Sequence, residues 1–543
     1  MLAKFVELGH HHTISETLIH NLTNLSELSL SNCVLNISST WIPLFQLEYL
    51  HLTSCNLDGQ IPPWISTQYS LSRLKLANNN LYGEIPSWLW HFSPHLRFLN
   101  LSQNYLQGNI FPNALNNLTV FDVSKNALLG SMPSVWPSTL EVLMLNDNSL
   151  IGNIPPSLSN LTGLVKLNLA NNKLNGVIPP SLADILQLLV LNLGDNGLEG
   201  SIPCGLCPLS LIVHNNKLSG RFPSPIVNCT KLQTLDIGHN SFTGHISKSI
   251  GNLSYLQVLV MKNNHFRGSI PSEIGKLKQL HILDLSANSL SGCIPHSIVS
   301  LQAMTVVESG HRMKRRYPLG PLNEPYAYHD ELNMTSKGIE QHYSYILSTL
   351  SCIDLSRNQL NGVLPYDFGK LKGLKSLNLS MNNFSGTLPS SLGEMSDLES
   401  LDLSRNMFSG YIPKELTSLD YLGFLNLSSN NLSGIIPQGG HMFTFTQSSY
   451  LQNLNLWGCP LPKNCSWPQF APPPPASNEE EDNNEESRKQ IPWYEVGLGL
   501  SYGVGFGGVL LLIVLRESWK NNYFKRVDII LKLLFPFVRK RRL

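Results

Sequence analysis

The glycines near the carboxyl end have the spacing of two unrelated kinds of site. Gly503, Gly505 and Gly508 form G-x-G-x-x-G, the pattern of a dinucleotide-binding loop. Gly499, Gly503 and Gly507 instead recur every fourth residue, as on a membrane helix that packs closely against another. A dinucleotide fold needs a second strand and a distant acidic residue, but only a short basic tail follows here. The glycines therefore predict a partner helix and no cofactor.

Other patterns that could carry catalysis lack the setting that the chemistry requires. Cys204 and Cys207 have redox spacing without the βαβ context of a thioredoxin-type site. No G-x-S-x-G motif stands in the strand–turn–helix context of a serine nucleophile, and the histidine run 10–12 has no further metal-spaced partners. A net charge of +1 gives no basic footprint for nucleic acid. We therefore expect no enzyme, cofactor, metal site or nucleic-acid partner.

Self-similarity at a fixed period dominates the chain. The frame L-x-x-L-x-L-x-x-N-x-L-x-G-x-I-P has clear copies from Leu71, Leu164 and Leu398, mostly in steps of 24 residues. Such a period indicates a solenoid of stacked units rather than several globular domains. The frame asparagines are Asn79, Asn104, Asn126, Asn148, Asn172, Asn196, Asn216, Asn240, Asn264, Asn288, Asn358, Asn382, Asn406 and Asn430. Cys33 and Cys55 take this position in two earlier copies, where we expect a structural role.

The alternation within each copy predicts a short strand. The leucines of L-x-x-L-x-L point to one side and the intervening residues to the other. Stacked copies share a core and pair their strands in parallel. The asparagine amide both donates and accepts, so it can satisfy backbone groups where the chain leaves its strand. We expect a right-handed solenoid with parallel strands on a concave side and mostly irregular convex segments.

The outward residues of these strands are the candidate ligand-binding residues. They vary sharply between copies, and variable chemistry on a fixed scaffold is typical of a recognition surface. The alternative is that they are ordinary solvated strand residues. The candidates are Arg73, Lys75, Thr234, Asp236, Val258 and Lys262.

A long insertion interrupts the period. The array covers 1–300 with about 12 repeats and 347–440 with four, and residues 301–346 lie between them. An insertion this long is usually functional or disordered. Its tyrosines, with Tyr326 and Tyr328 as candidate ligand contacts, favour an ordered island over a flexible linker.

Fourteen N-x-S/T sequons fit a secreted ectodomain, although some follow from the repeat frame itself. Asn100, Asn378 and Asn426 begin sequons at outward strand positions. A glycan on these residues would exclude a protein ligand there and shift recognition toward residues 234–262 and the island. The predicted glycosylation sites are Asn21, Asn117, Asn160, Asn252, Asn333, Asn378 and Asn426.

The carboxyl end changes character several times. A cap over 441–470 contains Cys459 and Cys465, whose disulfide would close the last repeat. A proline-rich and acidic spacer follows over 471–495.

Residues 496–515 then form an uncharged run that is long enough for a transmembrane helix. The basic tail 516–543 predicts a single-pass protein of the plasma membrane with its repeats outside and its tail cytosolic. Gly499, Gly503 and Gly507 form the predicted partner face. The alternative is that a membrane helix simply tolerates glycine.

The order of these segments resembles the plant leucine-rich-repeat receptor-like proteins. The most specific matches are "NSLSGCIP" (288–295), "KGIEQHYSYILSTLSCIDLSRN" leading out of the island, and "LWGCPLPKNC". The resemblance implies an α/β-type leucine-rich-repeat solenoid with plant-type repeats and a single transmembrane helix. The family's signal peptide and cysteine-bearing amino cap have no counterpart here; a truncated, partial or short form of the sequence would explain this.

The resemblance implies a cell-surface receptor without its own kinase. Such a receptor would bind an extracellular peptide, protein or glycan and sense microbial or plant-derived ligands in defence. It would signal through a partner receptor kinase, with contacts in the ectodomain and the membrane helix. The alternatives are a developmental co-receptor for peptide signals and a membrane-anchored inhibitor or adhesion protein.

Overall fold

A computed structural model describes residues 3–8, 13–19, 22–38, 40–91, 94–111, 116–222, 224–306, 332–337, 339–343 and 350–462. They belong to one compact unit, bounded at Met1–Trp467. No helix within these ranges is long and apolar enough to span a membrane. The predicted span 496–515 and its glycines, the spacer and the basic tail lie outside the described residues.

A parallel sheet of 17 strands, the long sheet, runs through the array. Within each three-residue strand the middle leucine or its equivalent enters the core, while its two neighbours face outward, as the alternation predicts. The strands are Ala3–Leu8, Leu25–Ser31, Tyr49–Thr53, Arg73–Lys75, Phe98–Asn100, Val120–Asp122, Val142–Met144, Lys166–Asn168, Val190–Asn192, Ser210–Ile212, Thr234–Asp236, Val258–Val260, Ile282–Asp284, Cys352–Asp354, Ser376–Asn378, Ser400–Asp402 and Phe424–Asn426. The predicted solenoid of parallel strands is confirmed.

A second series of short parallel strands follows the frame asparagines, so the prediction that the segments beyond the long sheet are mostly irregular was wrong. The L-x-G part of the frame forms most of them, and its glycine lies at or near the strand end in a positive-φ conformation (+80° at Gly362) that other residues rarely adopt. These strands are Val34–Asn36 (paired with Thr13–Ser15), Asp58–Gly59, Asn80–Glu84, Tyr105–Gly108, Ala127–Leu128, Ile151–Asn153, Lys173–Val177, Gly197–Gly200, Lys217–Arg221, Ser241–Gly244, His265–Gly268, Ser289–Gly292, Gln359–Gly362, Asn383–Thr387, Met407–Tyr411, Asn431–Ile435 and Asn455–Trp457.

Short helical turns return the chain to the next strand. Many begin directly after the frame proline, which is the N-cap residue in an extended conformation (φ −65°, ψ 134° at Pro295). Two are α-helical, Glu16–Ile19 and Ser87–Trp90. The 3-10 turns are Pro63–Thr67, Pro156–Asn160, Pro180–Asp184, Ser224–Asn228, Lys248–Asn252, Ser272–Lys276, His296–Ser300, Gln302–Met304, Phe368–Lys370, Ser390–Glu394, Lys414–Ser418, Gly440–Thr444 and Gln447–Ser449.

All fourteen frame asparagines make the predicted backbone hydrogen bonds. Asn172 is typical: its Oδ1 accepts from the Leu150 amide at 3.0 Å. Its Nδ2 donates to the carbonyls of Leu145, Leu169 and Ala170 at 3.0–3.2 Å. One side chain thus satisfies backbone groups of two adjacent repeats. We call this stack of side chains the asparagine ladder.

The ladder crosses the insertion without a break. Asn358 accepts from the Leu290 amide and donates to the Leu285 carbonyl, both at 3.0 Å, although these residues lie 68 and 73 positions earlier. The flanking strands Ile282–Asp284 and Cys352–Asp354 are direct neighbours in the sheet. The repeats before and after the insertion therefore form one continuous array.

The first residues assigned to the insertion belong to the array. Leu301 and Met304 are fully buried, and the Met304 carbonyl accepts from the Gly373 amide. Further along, Leu332–Ser336 and Ile339–Tyr343 form an antiparallel hairpin. Within the insertion, this hairpin is the ordered element that the structure describes.

The predicted cap contains one more ladder position. Asn453 accepts from the Leu432 amide and donates to the Leu427 and Tyr450 carbonyls. A tyrosine replaces the preceding frame leucine, and an extra residue precedes Leu456, so the frame did not reveal it. Cys459 is in a disulfide. Its predicted partner Cys465 lies outside the described residues, so this pairing stays a prediction.

The other cysteines include two ladder substitutes and one disulfide that sequence reasoning missed, beside three further free thiols. Cys33 and Cys55 are buried with their sulfurs 3.4 Å apart, and the Cys55 thiol points to the Leu30 carbonyl at 3.4 Å. Cys207 pairs with Cys229, one repeat further on. Spacing along the chain did not reveal this pair, because stacking brings residues 22 positions apart together.

Replacing Asn358 with alanine should destabilise the array at the insertion, because at least four backbone groups lose their partner. Each buried group left unsatisfied costs about 1–3 kcal/mol. We expect a lower melting temperature and faster hydrogen exchange at the Leu290 amide. The matched control is Asn361→Ala, since Asn361 is exposed in the same repeat. Equal effects of the two substitutions would contradict a structural role of the ladder.

Candidate functional site

The outward face of the long sheet is the candidate ligand-binding surface, and the predicted residues occupy two separate parts of it. Arg73 and Lys75 flank Leu74, and the Arg73 guanidinium lies 5.2 Å from the centre of the Tyr49 ring. Eight strand positions separate them from Val258. At about 4.8 Å per strand, this is a distance of about 40 Å. One small ligand cannot contact both groups.

The middle of the sheet is more closely packed than the sequence suggested. Val258 is fully buried and packs with Val260, Ile282 and Cys352. Thr234 and Lys262 are also buried. Tyr326 and Tyr328 lie outside the described residues.

Asp236 belongs to an ion-pair cluster that sequence reasoning missed. The two ring nitrogens of His214 each lie 3.0 Å from a carboxylate oxygen, Nδ1 from Asp236 and Nε2 from Asp195. Burial opposes the charge on the ring, but the Asp236 charge and both hydrogen bonds raise the pKa of His214 to about 10. The sequence contained a signal for this cluster, because His214 lies in the repeat between those of Asp195 and Asp236.

Two neighbouring carboxyls lie where the array crosses the insertion. Asp284 and Asp354 are paired in register. Burial, followed by the Asp284 charge, raises the pKa of Asp354 to about 7, and burial also raises the pKa of Asp284. This part of the sheet therefore loses negative charge in mildly acidic solution.

A cavity of about 540 Å³ lies on the sheet beside the insertion hairpin. We call it the groove. Its lining includes Lys262 and Ser286 from repeats before the insertion, Arg357 and Arg405 from repeats after it, and Lys337 from the hairpin. No single repeat contains this set, so the sequence alone did not indicate the groove.

The hairpin is anchored beside the groove through its turn. The Lys337 amide donates to the Ser400 Oγ at 3.3 Å, and its Nζ lies 3.3 Å from Glu399 Oε2. The other Glu399 oxygen lies 3.3 Å from Lys375 Nζ. The described part of the insertion therefore contacts the sheet, as an ordered island would.

The outward sequon asparagines are already hydrogen-bonded. The Nδ2 atoms of Asn100 and Asn378 each donate to a neighbouring aspartate at 3.0 Å, Asp122 and Asp354 respectively. A glycan on either nitrogen would change this contact. Asn426 is half-buried on the sheet.

The remaining predicted glycosylation sites either do not line the groove or lie outside the described residues. Asn117, Asn160 and Asn252 are exposed. Asn333 lies in the first hairpin strand, and Asn21 falls outside the described residues. Occupancy at every site stays a prediction.

The His214 cluster predicts a stability difference that depends on pH. Its folded-state pKa is raised, so the stabilisation is complete below the ordinary value of 6.5 and is lost as pH rises through about 10. The gap in melting temperature between the native chain and His214→Gln should therefore shrink from pH 6 to pH 10. Groups that titrate alike in both proteins cancel in this difference of melting temperatures.

His265→Gln is the control, because His265 is exposed. It should leave the gap small at every pH. A His214→Gln gap that is constant with pH would show that the ring contributes through packing and not through charge.

Comparison with known families identifies the repeats. The leucine-rich-repeat model matches ten segments, at residues 46–67, 70–92, 95–118, 139–161, 163–185, 187–209, 231–253, 255–277, 279–301 and 349–371. A second leucine-rich-repeat model matches residues 372–432. Together these segments cover more than half of the chain.

Among curated proteins, the chain is similar to receptor-like protein EIX2 of Solanum lycopersicum. The two are 36% identical over 134 residues, which are 24% of this chain and 13% of that relative. The chain thus matches only a small part of its relative's length.

Solved plant ectodomains match over a larger part. The peptide hormone receptor RGFR1 in complex with RGF2 is 29% identical with a TM-score of 0.65, over 84% of this chain and 71% of that one. The Arabidopsis receptor kinase HAESA, in complex with the peptide hormone IDA and the co-receptor SERK1, is 30% identical with a TM-score of 0.59, over 82% and 80%. The chain belongs to the leucine-rich-repeat family, and the relatives that confirm the resemblance seen in its sequence are plant receptor-like proteins.

Proposed function

We propose that this protein is a cell-surface receptor that binds an extracellular ligand and has no kinase of its own. The observation that carries the proposal is the groove, where outward side chains of repeats on both sides of the insertion meet the anchored hairpin. A binding site made from several repeats is the usual use of an extended solenoid surface.

Each repeat has residues that hold the backbone and other residues that face outward, and this separation supports a recognition role. The ladder asparagines hold the backbone in nearly the same way along the array, whereas the outward residues differ in charge and size. Around the groove they include Arg357, Met381 and Phe424. Such a surface can change its ligand without changing the fold.

A peptide or protein ligand is the class that the comparisons favour. RGFR1 and HAESA are similar to this chain over most of its length, and both were solved with a peptide hormone bound. Similarity to the receptor-like protein EIX2 supports the family resemblance, and that resemblance is what implies sensing in defence. Sensing of microbial or plant-derived ligands is therefore the finer part of the proposal.

Signal transfer then requires a partner that carries a kinase. HAESA was solved with a co-receptor, which supports a receptor-kinase contact through the ectodomain. We propose a second contact through the segment 496–515, where Gly499, Gly503 and Gly507 would let a partner helix approach closely.

Replacing Gly499, Gly503 and Gly507 together with leucine should abolish co-purification of a receptor kinase from plant membranes. Bulk alone is sufficient, because small-residue packing between membrane helices depends on van der Waals approach. The measurement is capture of the tagged full-length chain, with kinases identified by mass spectrometry.

The control replaces Val504, Val509 and Val514 with leucine, which changes volume little. It should retain the kinase, and both variants should insert into the membrane. Retention of the kinase by the glycine variant would place the contact in the ectodomain. If no kinase co-purifies with the native chain, from untreated or from elicitor-treated tissue, the result would favour an anchored inhibitor or adhesion protein.

A further inference from the structure

One row of residues in the groove has side chains that the local backbone conformation does not favour. The residue before each ladder asparagine has a left-handed conformation, with φ between +49° and +57° from Asp147 to Ser429. Asparagine, aspartate and histidine tolerate this conformation better than other residues with a side chain. Six consecutive repeats follow the preference, with Asp147, Asn171, Asp195, Asn215, His239 and Asn263.

Gln103, Lys125 and Ala287 depart from the preference before the insertion, and the four frame repeats after the insertion all depart from it. Their residues at this position are Arg357, Met381, Arg405 and Ser429, and the first three line the groove. Such departures also occur outside the groove, as at Lys125, so the signal for a function is the clustering of three of them in one groove. Arg357 and Met381 are exposed, and the Arg357 guanidinium has no ion pair among the described residues.

The sheet fixes the distance between the two arginines. The strands Cys352–Asp354, Ser376–Asn378 and Ser400–Asp402 are consecutive neighbours in register, so Arg357 and Arg405 are two strand spacings apart. Two spacings are about 10 Å, and Met381 lies on the strand between them. The three residues therefore form one row along the sheet, in the order positive, apolar, positive.

The surrounding charges do not neutralise this row. Glu399 lies between Lys337 and Lys375, which leaves that cluster with one net positive charge. Asp402 lines the groove and interacts with Arg405, but it is the one carboxylate among the described lining residues, against Lys262, Lys337, Arg357 and Arg405. An acidic ligand is therefore the complement of the groove.

We propose that Arg357, Met381 and Arg405 bind an extended, proline-rich peptide segment with two acidic side chains three residues apart. A polyproline II helix advances about 3.1 Å per residue and has three residues per turn. Its residues i and i+3 therefore lie on one face about 9 Å apart, which matches the spacing of the arginines. The proline rings between them would contact Met381, and each guanidinium would hold one carboxylate.

This inference deepens the proposed function, since it assumes that the long sheet receives a ligand. It can be tested without any kinase, so its failure is distinct from a failure of kinase capture. The probe is the fluorescent peptide Pro-Pro-Glu-Pro-Pro-Glu-Pro-Pro, and the measurement is its anisotropy with the full-length chain in detergent. We expect saturable binding, weakened at least tenfold when both glutamates are replaced by glutamine.

Spacing is tested with a peptide of the same composition whose glutamates are adjacent, which should bind at least fivefold more weakly. An acidic oligosaccharide, a polyuronate fragment, is the competing ligand class. If that fragment competes as well as the spaced peptide does, or if adjacent glutamates bind equally, the groove senses charge density and the proposal is wrong.

The double variant Arg357→Asn, Arg405→Asn separates binding from stability. Asparagine suits the left-handed backbone, so the melting temperature should rise by about 1 °C or more, while peptide affinity falls at least tenfold. Lys125→Asn is the matched control, because Lys125 is exposed and has the same conformation (φ 55°) outside the groove. It should leave affinity unchanged.

Two results would overturn the proposal directly. One is unchanged affinity in the double variant. The other is a glycan on Asn378 in the mature chain. Asn378 lines the groove and a sugar there would fill it, so the proposal requires this sequon, one of the predicted glycosylation sites, to be unmodified. Glycopeptide mapping of the full-length protein decides the second point.

Discussion

Each ladder asparagine satisfies backbone groups of two adjacent repeats that would otherwise be buried without a partner. Asn172, for example, serves three carbonyls and one amide with a single side chain. An unsatisfied buried group costs about 1–3 kcal/mol, so a gap in the ladder would separate the array into two parts. The fold therefore depends on an asparagine, or a small substitute such as Cys55, at every turn out of the long sheet.

A continuous ladder leaves the rest of each repeat open to change. The outward strand residues and the residue before the asparagine add contacts between some repeats, such as that of His214 with Asp236. These contacts are not the same in every repeat, so the residues can differ in charge and shape. The insertion uses the same freedom, because Asn358 bonds across it to Leu285 and Leu290 as though it were absent. Binding groups from distant parts of the sequence can then meet over one groove.

Much of the fold could be predicted from the sequence, because the repeat frame is local and its period is visible. The solenoid, its parallel sheet and all fourteen frame asparagines were expected. The candidate site was predicted less well, because it depends on neighbours about 22 to 24 residues apart. Asp236 was expected to be open to a ligand but pairs with His214. The groove joins Lys262, Arg357 and Lys337, whose proximity follows from stacking and from the anchored hairpin.

The ladder, and not the insertion, holds the two parts of the array together. Deleting residues 304–349 joins Ala303 to Leu350 and restores the 24-residue step between Asn288 and Asn358. Leu350 then takes the buried place of Met304. Thermal unfolding of the shortened chain should show one transition with a melting temperature close to that of the full chain. Two separated transitions, or a large fall in melting temperature, would show that the insertion itself joins the repeats and would contradict the account.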